Sequence, residues 1–191
     1  MAKWGKCDFR QLEQMQKQLE KMEKERTAFC EACAKELAAR LLALVIKRTP
    51  VGKAPKLAEG QEKTVKVKVR GADGKIRTRA FLTADAARIR QYWSGYTGGT
   101  LRRAWTTGKI QRSGTDYVVE VTNPTFYASY VEYGHRQEAG RYVPALGKRL
   151  KRAWVPGKFM LTISVKEIQR MAPRLIEKKL KDFLEECLDA K

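Results

Sequence analysis

Three observations in the amino-acid sequence predict an α+β fold. From about Asp8 to Arg48 no Pro or Gly occurs and apolar residues recur at steps of three and four, the signature of one long helix. The middle of the chain instead alternates apolar and polar residues around glycine-containing turns, as in Thr64-Val-Lys-Val-Lys-Val-Arg70, which is the period of a strand. Helical spacing returns between Met160 and Ala190. With 191 residues there is chain enough for one core of ordinary size. A single domain spanning 1–191 is expected, with a long N-terminal helix, a small antiparallel sheet and a C-terminal helix.

The first helix is drawn by Leu12, Met15, Leu19, Met22, Phe29, Cys33, Leu37, Leu41, Leu44 and Val45. Its first half has a narrow apolar stripe between Lys and Glu, the pattern either of a helix packed on a partner or of a solvated, frayed one. Residues 38–46 are apolar around most of the circumference and should enter a core. Thr49-Pro50 ends the helix, because the residue before proline avoids the helical region. Residues 51–63 read as a loop.

A β-hairpin follows, Thr64–Arg70 and Lys75–Phe81 about the turn Gly71-Ala-Asp-Gly74, with one face expected to be apolar and the other cationic. Thr83 is a capping residue for a helix reaching Trp93. Leu101–Thr107 predicts a strand, or a short helix leading into one. Gly108–Arg112 and Asp116–Asn123 pair antiparallel about Ser113-Gly114-Thr115. Tyr127–Tyr133 is a short helix closed by Gly134, glycine being favoured just past a helix end. Gln137–Pro156 reads as a basic loop, and Pro173 should start the final part of the last helix.

Forty Lys and Arg against 21 Asp and Glu give a net charge of +19, more than solubility requires and suited to a polyanionic neighbour. Residues 49–100 and 101–158 contribute +7 each. Candidate phosphate contacts are Lys66, Lys68, Arg70, Arg77 and Arg79 on the hairpin, and Arg141, Lys148, Arg149, Lys151 and Arg152 in the later loop. Tyr142 and Trp154 stand beside the second group and could stack on bases. No nucleic-acid motif organises these residues, so the choice lies between a solvated basic face and contact without sequence preference. A nonspecific nucleic-acid-binding protein is therefore one functional reading.

Catalysis finds little support. Cys30-Glu-Ala-Cys33 has a metal-like spacing but lies inside a helix with no second pair, which favours packing cysteines. His135, the sole histidine, has no Ser or Cys partner in view. No catalytic, cofactor or metal residue is assigned. Glu132 is set among Tyr127, Tyr130, Val131 and Tyr133, where a carboxylate needs a basic partner; Arg102, Arg103 or an arginine of a neighbouring subunit are candidates. The start of the chain lacks a secretory signal, and the longest apolar run, Leu41–Ile46, is far short of the ~20 residues of a membrane span. A soluble protein of a reducing cytoplasm, with no membrane partner, is expected.

The order of the motifs adds a resemblance. Thr49-Pro50-Val51-Gly52, Gly98-Gly-Thr-Leu101-Arg102-Arg-Ala-Trp105, the strand Val118–Asn123, Tyr127-Ala128-Ser-Tyr130-Val131-Glu132-Tyr133-Gly134-His135 and Lys158-Phe-Met160 before a closing helix together resemble the tail-completion (neck) family of long-tailed phages and prophages, and are similar to minor tail protein Z of lambda-like phages. In that family the Thr-Pro-Val-Gly element leads almost directly into Gly-x-Leu-Arg, whereas residues 53–97 intervene here and read as an insertion. The resemblance implies a structural virion subunit without cofactor, at the head-tail junction of the virion and in the host cytoplasm during assembly. It further implies a homo-oligomeric ring, other neck and tail proteins as partners, and contact between the ring's basic residues and genomic DNA.

Overall fold

The computed structural model describes residues 9–55, 64–70, 74–82 and 84–188, and contacts divide the chain into two compact units. The helical unit comprises Met1–Arg48, Trp105–Asn123 and Met160–Lys191; the cationic unit comprises Thr49–Ala104 and Pro124–Phe159. The class is α+β, with the strands in antiparallel pairs of two. Cys7, the loop residues 56–63, the turn residues 71–73, the capping Thr83 and the last predicted helical residues, Asp189 and Ala190, lie outside the described residues.

In the helical unit, α1 (Arg10–Arg48) and α5 (Met160–Leu188) form an antiparallel hairpin, as the contacts along its length require. Near one end Arg48 forms an ion pair with Glu167 and donates to Ser164 Oγ at 3.1 Å. Midway, Lys179 Nζ lies 2.6 Å from Glu36 Oε2. Farther on, Phe29 and Phe183 stack at 4.6 Å between ring centroids, an arrangement that adds about 1 kcal/mol to the area it buries. Gln18 Nε2 then donates to the Leu188 carbonyl at 2.6 Å. Val45, Met160, Ser164 and Cys187 are buried on this hairpin. Helix α5 runs unbroken through Pro173 instead of restarting there. Pro173 and Gln169, whose carbonyl loses its partner, are both exposed, so water can replace the missing bond.

The same unit holds β3 (Thr106–Thr107), β4 (Gln111–Ser113), β5 (Asp116–Val118) and β6 (Val121–Thr122). The second strand expected from Asp116 to Asn123 is split: β5 pairs with β4, and β6 with β3. Thr107 pairs with Val121 and Gln111 with Val118, which leaves 108–110 opposite 119–120. One residue too many on the first strand makes a bulge, and alternation alone does not reveal it.

The cationic unit begins with β1 (Thr64–Arg70) and β2 (Ile76–Leu82), paired along their whole length. Their register corrects the expected division into an apolar and a cationic face. Val69 pairs with Arg77 and Val67 with Arg79, while Lys68 pairs with Thr78 and Arg70 with Ile76. Directly opposed residues share a face, so Lys68 and Arg70 share theirs with Thr78 and Ile76, and Arg77 falls on the other. Next come α2 (Ala84–Tyr92), α3 (Thr100–Arg103) and α4 (Ala128–Tyr133). Ala86 and Ile89 of α2 are buried, and Trp93 just beyond it donates Nε1–H to the Ala145 carbonyl at 2.6 Å.

The expected basic loop is a second, irregular hairpin. β7 (Gly134–Arg136) pairs with β10 (Trp154–Pro156), and β8 (Tyr142–Val143) with β9 (Lys148–Arg149). Between the two ladders Gln137 N–H reaches Ala153 O at 2.9 Å and Gly140 N–H reaches Leu150 O at 2.8 Å. Strands of two or three residues broken by Glu138-Ala-Gly140 carry too little alternation to be read.

Candidate functional site

Two of the motif segments meet at the end of α4. Helix ends leave carbonyls without intrahelical partners. Here Lys158 N–H donates to Val131 O at 2.8 Å and Phe159 N–H to Glu132 O at 3.0 Å. The Gly-Lys-Phe segment before α5 therefore closes α4 from outside. Gly134 ends the helix with φ 88°, a conformation that favours glycine. Gly157 has a different reason: a Cβ there would meet the Glu132 carbonyl and come within 2.6 Å of the Tyr133 carbonyl carbon. The Val-Glu-Tyr-Gly and Gly-Lys-Phe motifs thus meet backbone to backbone.

A second junction joins Thr-Pro-Val-Gly to Gly-Gly-Thr-Leu-Arg. Arg102 donates through Nε and Nη2 to the Thr49 carbonyl, at 2.9 and 2.6 Å, a charge-assisted fork that a lysine cannot copy. Gly98 lies so near that a Cβ on it would fall 2.5 Å from the Gly52 carbonyl oxygen. Thr49 and Leu101 are buried.

Burial divides the motif residues by role. Leu101, Trp105 and Glu132 are buried, and Tyr127, Ala128, Val131 and Gly134 are half-buried. Tyr130 and Tyr133 are 54% and 61% exposed, with Phe126 at 87%. Any packing role for Tyr130 and Tyr133 inside the fold is thereby limited. Positions 126, 130 and 133 are spaced to share one side of the segment, and that spacing was readable in the sequence. His135 lies 5.9 Å from the Tyr130 ring, and its Nδ1 is buried with no hydrogen-bond partner.

The candidate phosphate contacts lie on the two hairpins. Lys68, Arg70 and Arg77 are exposed on β1 and β2; Lys66 and Arg79 occupy the same strands, but their side chains lie outside those described. Arg141, Lys148, Arg149, Lys151 and Arg152 are all exposed on the second hairpin. Arg149 Nη1 donates to Gly140 O at 2.8 Å, which fixes its direction. Trp154 sits directly across from Arg136, and Tyr142 across from Arg149. Both aromatics are exposed. Arg136 and the exposed Lys158 belong with this surface, though sequence reasoning passed over them because neither stands in a run of basic residues.

A family model described as "Bacteriophage HK97-gp10, putative tail-component" matches residues 13–134, well over half of the chain. The chain belongs to the HK97-gp10-like family. The match takes in α1 from Glu13 onward, the first hairpin, the Arg102 junction and all of α4, and stops at Gly134. The second hairpin and α5 are outside it. No curated protein matches the chain, and no solved structure does.

Burial pushes the Cys33 and Cys187 thiols up from their ordinary value, away from the thiolate that reacts and binds metal. Among the described residues no group of three or more His, Cys, Asp or Glu is placed to hold a metal ion, and no helix is long and apolar enough to cross a membrane.

Proposed function

We propose that this tail-component family member is a non-catalytic structural protein of the head-tail junction, where it completes or joins the tail as part of a ring of copies. The family match carries this reading, and the order of motifs shared with the tail-completion group, lambda-like protein Z included, sharpens it. Its motifs hold backbone junctions together, which suits a scaffold. In the same reading residues 53–97 are an insertion within one tail-completion-like domain. The proximity of Gly52 and Gly98 supports this, since an insertion can leave and re-enter a fold where its ends lie side by side. Glu132, buried at 5% exposure, is proposed to be held by a basic partner.

Electron microscopy of particles assembled without the protein tests the role. Filled heads beside unattached tails are expected; fully joined virions would refute it.

A second reading, nonspecific binding of nucleic acid, is favoured by one observation. The cationic unit carries 20 Lys and Arg against 6 Asp and Glu, many of them exposed on its two hairpins. The two readings are compatible, because a junction ring lined by such hairpins would meet the genome.

A further inference from the structure

The first turns of α1 display Phe9, Leu12, Met15 and Leu19, between 51% and 60% exposed. No residue of α1 before Cys33 is buried. The stripe prolongs a packed seam. Farther along α1, Phe29 stacks on Phe183 of α5, while Gln18 reaches the Leu188 carbonyl where α5 ends. Beside that seam lies an apolar groove of about 410 Å³ lined by Met22, Phe29, Leu180, Phe183 and Leu184, among others. Stripe and groove together run from residue 9 to 30, roughly 30 Å along the helix.

We propose that this surface binds a second copy of the same chain, the stripe of one copy seating in the α1/α5 groove of the other. Charge selects the occupant. The chain carries +19, yet residues 10–26 and 176–188 together hold eight Lys and Arg and eight Asp and Glu. Two strongly cationic copies can meet on this charge-balanced surface without the local repulsion that a basic one would add. Gln11, Gln16 and Gln18 flank the stripe, where like charges would oppose an identical helix and opposite charges would select a different one. An acidic partner would have been served by a basic rim, and none is present here. This names a surface for the copy-to-copy contact in the ring reading above. Joining of heads to tails tests that reading, while association of the purified chain tests this one.

Sedimentation velocity of the full chain over a range of concentrations, in enough salt to strip nucleic acid, is the experiment. Wild type is expected to associate, with no weakening as salt rises. Leu12→Glu/Leu19→Glu should raise the dissociation constant by about a hundredfold or more, since charges are placed in a desolvated contact. Leu180→Lys in the groove should do the same, and Phe126→Ser on the cationic unit should change nothing. Circular dichroism melting should be unaltered by these exposed substitutions, so that a lost contact is separable from a lost fold. A wild type monomeric throughout, association dissolved by salt, or a folded stripe variant that associates normally would each overturn the proposal.

Discussion

The two units hold equal numbers of basic residues and differ in what faces them. The helical unit has 20 Lys and Arg against 15 Asp and Glu, a net of +5; the cationic unit has 20 against 6, a net of +14. On the helices cations meet carboxylates, as in Lys35 with Glu31, Arg40 with Glu36, Lys179 with Glu36 and Lys181 with Glu185. On the hairpins the acids are scarce. The excess is therefore not a general property of the chain but a local scarcity of acidic residues, which leaves a net positive field suited to an external polyanion. Helix faces suited to protein contact and strands suited to phosphate contact are thus separated.

The largest expected effect tests that division directly. Duplex DNA should bind with an affinity that falls about a thousandfold between about 50 and 200 mM salt, as for any protein making six or more phosphate contacts. Replacing Arg141, Lys148, Arg149, Lys151 and Arg152 with Gln should flatten the salt slope, whereas replacing Lys17, Lys21 and Lys24 on α1 should leave it nearly unchanged. Fluorescence anisotropy across a salt series reads both. An equal flattening by the helical substitutions would erase the contrast between the units.

The long periodic elements were legible in the sequence, because α1, α5 and the first hairpin each repeat their pattern for seven residues or more. So was the Gly134 stop of α4. What escaped notice depends on register and on pairs distant in sequence. The bulge opposite Val119 and Glu120, the position of Arg77 on the face away from Lys68, and the second hairpin all arise from which residue meets which, and local alternation carries no such information. The exposure of Tyr130 and Tyr133 was not legible for a related reason: an aromatic-rich segment looks like core until the burial of Glu132 fixes which side of α4 turns inward. Arg102 stood out in the sequence as part of the Leu-Arg motif and as a candidate partner for Glu132. That it grips the Thr49 carbonyl depends on a closure across the intervening residues 53–97.

Substitutions at two positions probe the α4 end of the cationic unit. Glu132→Ala should cost about 3 kcal/mol if a basic partner is left uncompensated in the interior, with Glu132→Gln milder because the side chain's volume and hydrogen bonding are mostly kept. Gly157→Ala should cost about 2 kcal/mol, since the added methyl must displace backbone rather than a flexible side chain. Thermal melting measures both. A wild-type melting temperature for Glu132→Ala would remove the proposed ion pair, and one for Gly157→Ala would show that the contact between the α4 end and residue 157 yields freely.

The smallest effect belongs to the helical unit and concerns pH. Hydrogen bonds from Lys179 and then Arg40 hold the Glu36 carboxyl below its ordinary value, and the bond that Lys179 donates to Glu36 holds the lysine above its own. A lowered carboxylate pKa stabilises the folded state above the unfolded value and loses that contribution as pH falls through the folded one. A raised lysine pKa works in the opposite sense: its contribution is complete below the unfolded value and fades as pH rises through the folded one. The bridge between α1 and α5 should therefore support the fold throughout the neutral range and weaken at both extremes. Glu36→Gln should lower stability slightly at neutral pH and converge with wild type in acid, in denaturant titrations at several pH values. The partly exposed pair is screened by solvent, so the gap should also shrink with added salt; a gap that widens toward low pH would mean that Glu36 stabilises the hairpin by something other than its charge.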